Sequence, residues 1–222
     1  MPAFRPSSWR LRPGEREQEH RVNRSDTARV EAFSDGVFAI AITLLILEIK
    51  VPHLEEGAGT AAVFSALCGL WPSFLSFVAS FALVLIMWVN HHGLFKMVRH
   101  ADSRFMFANG FLLMLVTFVP FPTALMAEYL DRSGANAAVA FYNGTFVLIS
   151  VAYCLVWLSA SYRRRLLHEY VTNAQIDRVS RAYYMALPIY AAAMLVALWN
   201  PYVGLAINGA LLVLWIVLRY GE

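Results

Sequence analysis

Charge is scarce in this chain. Asp, Glu, Lys and Arg make up 15% of its residues, whereas 59% are hydrophobic. Soluble domains carry roughly a quarter charged residues, and a mean hydropathy of +0.54 excludes an ordinary water-facing surface. Cysteine is nearly absent. Cys68 and Cys154 show no metal-ligand spacing and lie in or beside apolar stretches, so both are read as small buried hydrophobes rather than a disulfide or zinc ligands. Cofactor motifs are missing too, and the one His-rich spot has no obvious nucleophile beyond Ser34, so an enzyme is not expected. Residues 1–28 are polar, without the apolar core or small-residue cleavage site of a secretory signal. They are expected to form a flexible cytoplasmic tail, followed by a membrane domain over 29–219.

What is present is a series of long apolar runs. A membrane-spanning helix needs roughly 20 mostly apolar residues, and six segments qualify, at about 33–50, 71–97, 104–127, 137–161, 181–199 and 201–218. The expected fold is all-α, a polytopic membrane protein of six spans with both termini cytoplasmic. Asn200-Pro201 would make a tight hairpin between the last two spans. The apolar part of Gly57–Leu70 is too short to span and would lie at the interface or half-inserted. With the N-terminus inside, 16 of the 18 Lys and Arg fall on cytoplasmic segments and only Lys50 and Arg132 outside, which sets the orientation. The net charge of +3 then records topology and not nucleic-acid binding. The expected surroundings are a lipid bilayer.

The first apolar helix contains Arg29-Val-Glu-Ala-Phe-Ser34-Asp35 at its start. A carboxylate beside hydrocarbon is costly and normally has a partner. With Ile40 as origin and about 100° per residue, Leu44 lies at about 40°, Leu47 at about 340° and Thr43 at about 300°, while Asp35 lies at about 220°. The Ile40/Thr43/Leu44/Leu47 stripe would face lipid or a neighbouring helix, or line a pore, with Asp35 anchoring the opposite face. The second span ends in Met87-Trp88-Val-Asn90-His91-His92, at a depth similar to Asp35. Trp88, His91 and His92 share a face and carry N–H donors that a carboxylate could accept from, with Ser34 and Arg29 adding contacts. A structural polar knot, a proton relay and a metal site all remain open, although adjacent histidines on a helix diverge too far for good tetrahedral ligation.

These residues resemble a known family. Arg29-x-x-x-Phe33-Ser34-Asp35 before an apolar helix is similar to the R-x-x-x-F-S-D signature of bacterial homologues of the lysosomal potassium channel, transmembrane protein 175. Trp88-x-Asn90-His91-His92 and Pro120-Phe-Pro-Thr-Ala resemble it as well. The resemblance implies a potassium-selective, leak-type cation channel, a homotetramer of six-helix chains whose first helix lines the pore. It implies an apolar constriction at Ile40, Leu44 and Leu47, a threonine layer at Thr43 where a permeant potassium ion would pause, and no cofactor. The chain has no Thr-Val-Gly-Tyr-Gly filter. The alternative is a proton-coupled transporter using Asp35, His91 and His92.

Overall fold

The computed structural model describes the backbone of residues 13–219 and the side chains of residues 27–215. Among these residues the chain is helical apart from its loops and one isolated β-bridge. In order come α1 (Pro13–Leu44), a 3-10 turn at Leu45–Glu48, α2 (Thr60–Gly69), α3 (Trp71–Met97), α4 (Ser103–Phe118) and α5 (Pro120–Tyr129). They are followed by α6 (Ala135–Ser161), a 3-10 turn at Tyr162–Arg164, α7 (Asn173–Ala197) and α8 (Pro201–Arg219). Five stretches are long and apolar enough to cross a membrane: Thr27–Glu48, Trp71–Met97, Ser103–Tyr129, Ala135–Arg164 and Asn173–Ala197. Thr60–Gly69 and Pro201–Trp215 are shorter apolar helices. The protein is an integral, multi-pass membrane protein.

Helix α6 is the centre of the bundle. In its membrane window 61% of the residues are buried, against 22% for the window containing α1, so α1 sits at the edge. It packs on α3 and α4, while α6 packs on α4, α5, α7 and α8. The α7–α8 hairpin closes tightly because Gly204 lets the backbones approach. A methyl at Gly204 would meet Ala197 Cβ at 2.8 Å and the Ala193 carbonyl oxygen at 3.1 Å. The Asn200 side-chain oxygen then accepts from the Tyr202 and Val203 N–H groups at 3.0 and 3.2 Å, capping α8.

Several boundaries differ from the sequence expectation. Residues 13–28, expected as flexible tail, are helical and continuous with α1; residues 1–12 of that segment lie outside the described residues. Helix α7 begins at Asn173 instead of near 181, because Thr172 and Gln175 form a reciprocal capping box. Cys68 is exposed on α2, not buried, since no residue of α2 is buried and α2 packs mainly on α3; Cys154 is partly buried, and neither cysteine is in a disulfide.

The third apolar segment is two helices and not one. Pro120 has no N–H and its ring crowds the preceding turn, so α4 ends at Phe118 and α5 starts at Pro120. The backbone closes the break itself, the Val119 N–H donating to the Val116 carbonyl at 3.2 Å, and side-chain hydroxyls brace it. Thr123 donates to the Val119 carbonyl at 2.8 Å, and its oxygen lies 2.7 Å from Ser80 Oγ, which lies 3.0 Å from Tyr142 Oη. Each hydroxyl has one proton, so the polarity follows: Tyr142 donates to Ser80, Ser80 to Thr123, and Thr123 to the backbone. All three side chains are fully buried, and the chain ties α3, α5 and α6 together at the break. Thr123→Val keeps the shape but removes the acceptor for Ser80 and the donor to Val119. Thermal unfolding in detergent should show a loss of about 1–2 kcal/mol; an unchanged melting temperature would mean that the hydroxyl chain does not brace these helices.

Candidate functional site

Helix α1 presents two unlike faces. Ser34, Phe38, Ala41 and Leu45 are at most 1% exposed and point into the subunit. The opposite face carries Phe33, Ile40, Thr43, Leu44 and Leu47, all exposed, with Ile40 at 58% and Leu47 at 60%. The described chain therefore carries an uncovered apolar row along one side of a membrane helix. Within that row the Thr43 hydroxyl donates to its own helix, at the Ile40 carbonyl, over 2.9 Å. Its oxygen keeps its capacity to accept.

The inward face is held by hydrogen bonds of defined direction. Ser34 donates to the Val30 carbonyl at 2.8 Å, so its oxygen must accept from Asn109 Nδ2 at 2.9 Å. That orients the Asn109 amide and leaves its oxygen to accept from His91 Nε2 at 2.8 Å. A line of bonds thus joins α3, α4 and α1, and it requires the Nε2–H tautomer of His91. His91 Nδ1 is buried without a hydrogen-bond partner, which suits an unprotonated nitrogen better than an N–H. The ring lies between Phe38 and Phe95, with centroids at 5.2 and 4.5 Å.

Asp35 and His92 belong to other pairs. Trp88 Nε1 donates to Asp35 Oδ1 at 2.8 Å. His92 Nδ1 lies 3.0 Å from Glu31 Oε1, an ion pair whenever the ring is protonated. The Trp88 and His92 rings stack at 6.0 Å. The expected single knot of Asp35, Trp88, His91 and His92 is therefore resolved into three separate contacts along α1. Arg29 is exposed and does not join them: six residues before Asp35 it lies about 240° around the helix. Asn90 is turned elsewhere, lining a small cavity between α3, α6, α7 and α8 with Ser150, Tyr153 and Tyr190. Among the described residues no group of three His, Cys, Asp or Glu side chains could hold a metal ion.

Two partners escaped the sequence reading. Asn109 could have been flagged, as a lone amide inside the apolar run Phe105–Phe118. Glu31 lies one turn before Asp35 on the same side of α1, and its spacing was the only available signal.

Comparison with known proteins settles the relationship. The family described as the endosomal/lysosomal potassium channel TMEM175 matches residues 29–120. A protein named a potassium channel from Chamaesiphon minutus is 48% identical over 76% of this chain and 83% of its own length. The chain belongs to the TMEM175 family. A crystal structure titled as a lysosomal potassium-selective TMEM175 homologue from Chamaesiphon minutus superposes with a TM-score of 0.79 at 42% identity, covering 89% of this chain and all of that one. The Mus musculus protein named an endosomal/lysosomal proton channel TMEM175 is 33% identical, and the match spans only 35% of its length. The TMEM175 match over 29–120 contains residues 29–44 of α1 together with α3 and α4, the parts that hold the Ser34–Asn109–His91 line.

Removing the centre of that line should be costly and removing the exposed Arg29 should not. Asn109→Leu orphans the His91 N–H and leaves Ser34 Oγ without its donor, at about 1–3 kcal/mol. Arg29→Ala should stay within about 0.5 kcal/mol, as for surface positions. Intrinsic tryptophan fluorescence melts of the two variants measure the difference, and equal losses would refute the assignment.

Proposed function

We propose that this protein is a potassium channel whose conduction path is lined by α1 from several identical chains. The carrying observation is the exposed row of Ile40, Thr43, Leu44 and Leu47 on a helix whose other face is bonded into its own subunit. One chain cannot enclose a path with a single helix face, so copies must surround a common axis. The potassium-channel name of the Chamaesiphon minutus relative supports the choice of ion. We take the assembly as a homotetramer of six-span chains with cytoplasmic termini in a bacterial-type plasma membrane.

The chemistry suits a weakly hydrated cation. Apolar rings at Ile40, Leu44 and Leu47 pass an ion only if it sheds part of its water, and they close by dewetting when narrow. Potassium gives up water more readily than sodium. Thr43 donates its proton inward to Ile40, so the hydroxyl oxygens can replace some of that water, and a potassium ion would pause there. Discrimination should be weaker than that of a carbonyl-lined filter.

Proton-coupled transport through Asp35, His91 and His92 has less support. A relay needs these groups in hydrogen-bond sequence, whereas each has a different partner: Trp88, Asn109 and Glu31.

Native mass measurement should give a tetramer; a stable monomer would remove the shared path. In planar bilayers, Ile40→Asn should lower the preference for potassium over sodium with the assembly intact. Thr43→Ala removes one hydroxyl from each chain and should lower it by at least roughly five-fold, the equivalent of about 1 kcal/mol of lost discrimination. Ala41 is a poor control because it is fully buried. Leu148, 52% exposed on α6, is better: if Leu148→Asn changed ion preference as much as Ile40→Asn, the row would not be the filter.

A further inference from the structure

The turn after α6 carries three successive exposed arginines, Arg163, Arg164 and Arg165. Arg163 and Arg164 hold φ angles of 54° and 56°, left-handed backbone that residues with a Cβ enter only at an energetic cost. The surroundings enforce it. The Arg164 guanidinium donates to the Val171 carbonyl and to the Asn173 side-chain oxygen, neutral acceptors that fix the turn without cancelling its charge.

A second loop braces the same region. Val98 and Leu167 form a β-bridge, with Arg99 N–H donating to the Leu166 carbonyl at 2.7 Å and His168 N–H to Met97 at 3.0 Å. The α3–α4 and α6–α7 connections are thus one hydrogen-bonded plate at one end of the bundle. Its acids neutralise little. Glu169 stands 3.7 Å from Arg99, and Asp102 stands 3.9 Å from Arg165 while already accepting from Phe105 N–H. Both contacts are long and solvent-screened. Arg163 has no carboxylate partner among the described residues; its guanidinium lies 5.3 Å from the centroid of the exposed Tyr162 ring.

Arginines at the end of a spanning helix also serve membrane orientation. That role requires charge alone, and it does not require two residues locked in left-handed backbone on a braced support. We propose that the Arg163–Arg165 turn binds the anionic phosphodiester headgroups of membrane lipids, with Arg163 and Arg165 facing the phosphate. The guanidinium fork matches phosphate oxygens in geometry as well as charge. The lipid is the source because the apolar segment Ala135–Arg164 runs directly into the turn, placing the arginines at headgroup level beside an interfacial tyrosine.

The test is native mass spectrometry of the detergent-solubilised protein titrated with phosphatidylglycerol or phosphatidylcholine. The unmodified chain should retain phosphatidylglycerol preferentially. Arg163→Gln/Arg165→Gln should lose that retention, by roughly five-fold per arginine. Arg178→Gln/Arg181→Gln removes equal charge from exposed positions on α7 and should keep it. Equal losses in the two double variants, or no headgroup preference in the unmodified chain, would overturn the site. Full displacement of the lipid by millimolar inorganic phosphate would overturn the lipid as occupant. Should the double variant not express, Arg163→Gln alone, which leaves the Arg164 bonds intact, is read in the same way: a five-fold loss is expected, and no change overturns the proposal. The assay does not depend on conduction, so its failure leaves the channel reading standing.

Discussion

A polar group inside an apolar helix bundle has no water to fall back on, and each one left unpaired costs about 1–3 kcal/mol. The placement of α1 depends on this constraint. The line from His91 through Asn109 and Ser34 to the Val30 carbonyl has a proton at each donor and a lone pair at each acceptor, so it can be made in one direction only. Turning α1 by one residue, about 100°, would break the Asn109–Ser34 bond, remove Asp35 from Trp88 and carry Phe38 out of the core. The rotation that satisfies the polar groups is also the one that leaves Ile40, Thr43, Leu44 and Leu47 outside.

Helix α3 is the common support. On one stretch it offers Trp88, His91 and His92 to α1 and α4; farther along, Ser80 receives Tyr142 and donates to Thr123 at the α4–α5 break. Helix α1 is therefore held by the same element that stabilises the centre of the bundle through α5 and α6. This division gives the molecule a fixed interior and a free face. A peripheral helix with its back locked and its front apolar offers a face whose rotation is set by its own subunit.

Polar groups at the ends of the bundle are organised differently. There water is available, and the contacts are long or exposed, as between Arg99 and Glu169. Backbone pairing between Val98 and Leu167, not ion pairing, holds the two connecting loops. The arginines they carry keep their charge and their reach.

The sequence by itself determined the apolar segments, the stripe on α1 and the need for a partner at Asp35, because each follows from composition or from helical periodicity along a continuous stretch. Trp88 was legible as a donor at the right depth. Local signals for the break at Pro120 and the start of α7 at the Thr172-x-x-Gln175 box were present but lay inside longer apolar and polar runs that masked them. Only the tertiary structure decided which polar group meets which. Asn109 and Ser34 are 75 positions apart, and no periodicity within α4 or α1 encodes their meeting. That pairing, and the separation of His91 from Asp35 with it, arises from the depth and rotation at which α1 packs on α3 and α4, quantities set by the sum of contacts over the whole bundle.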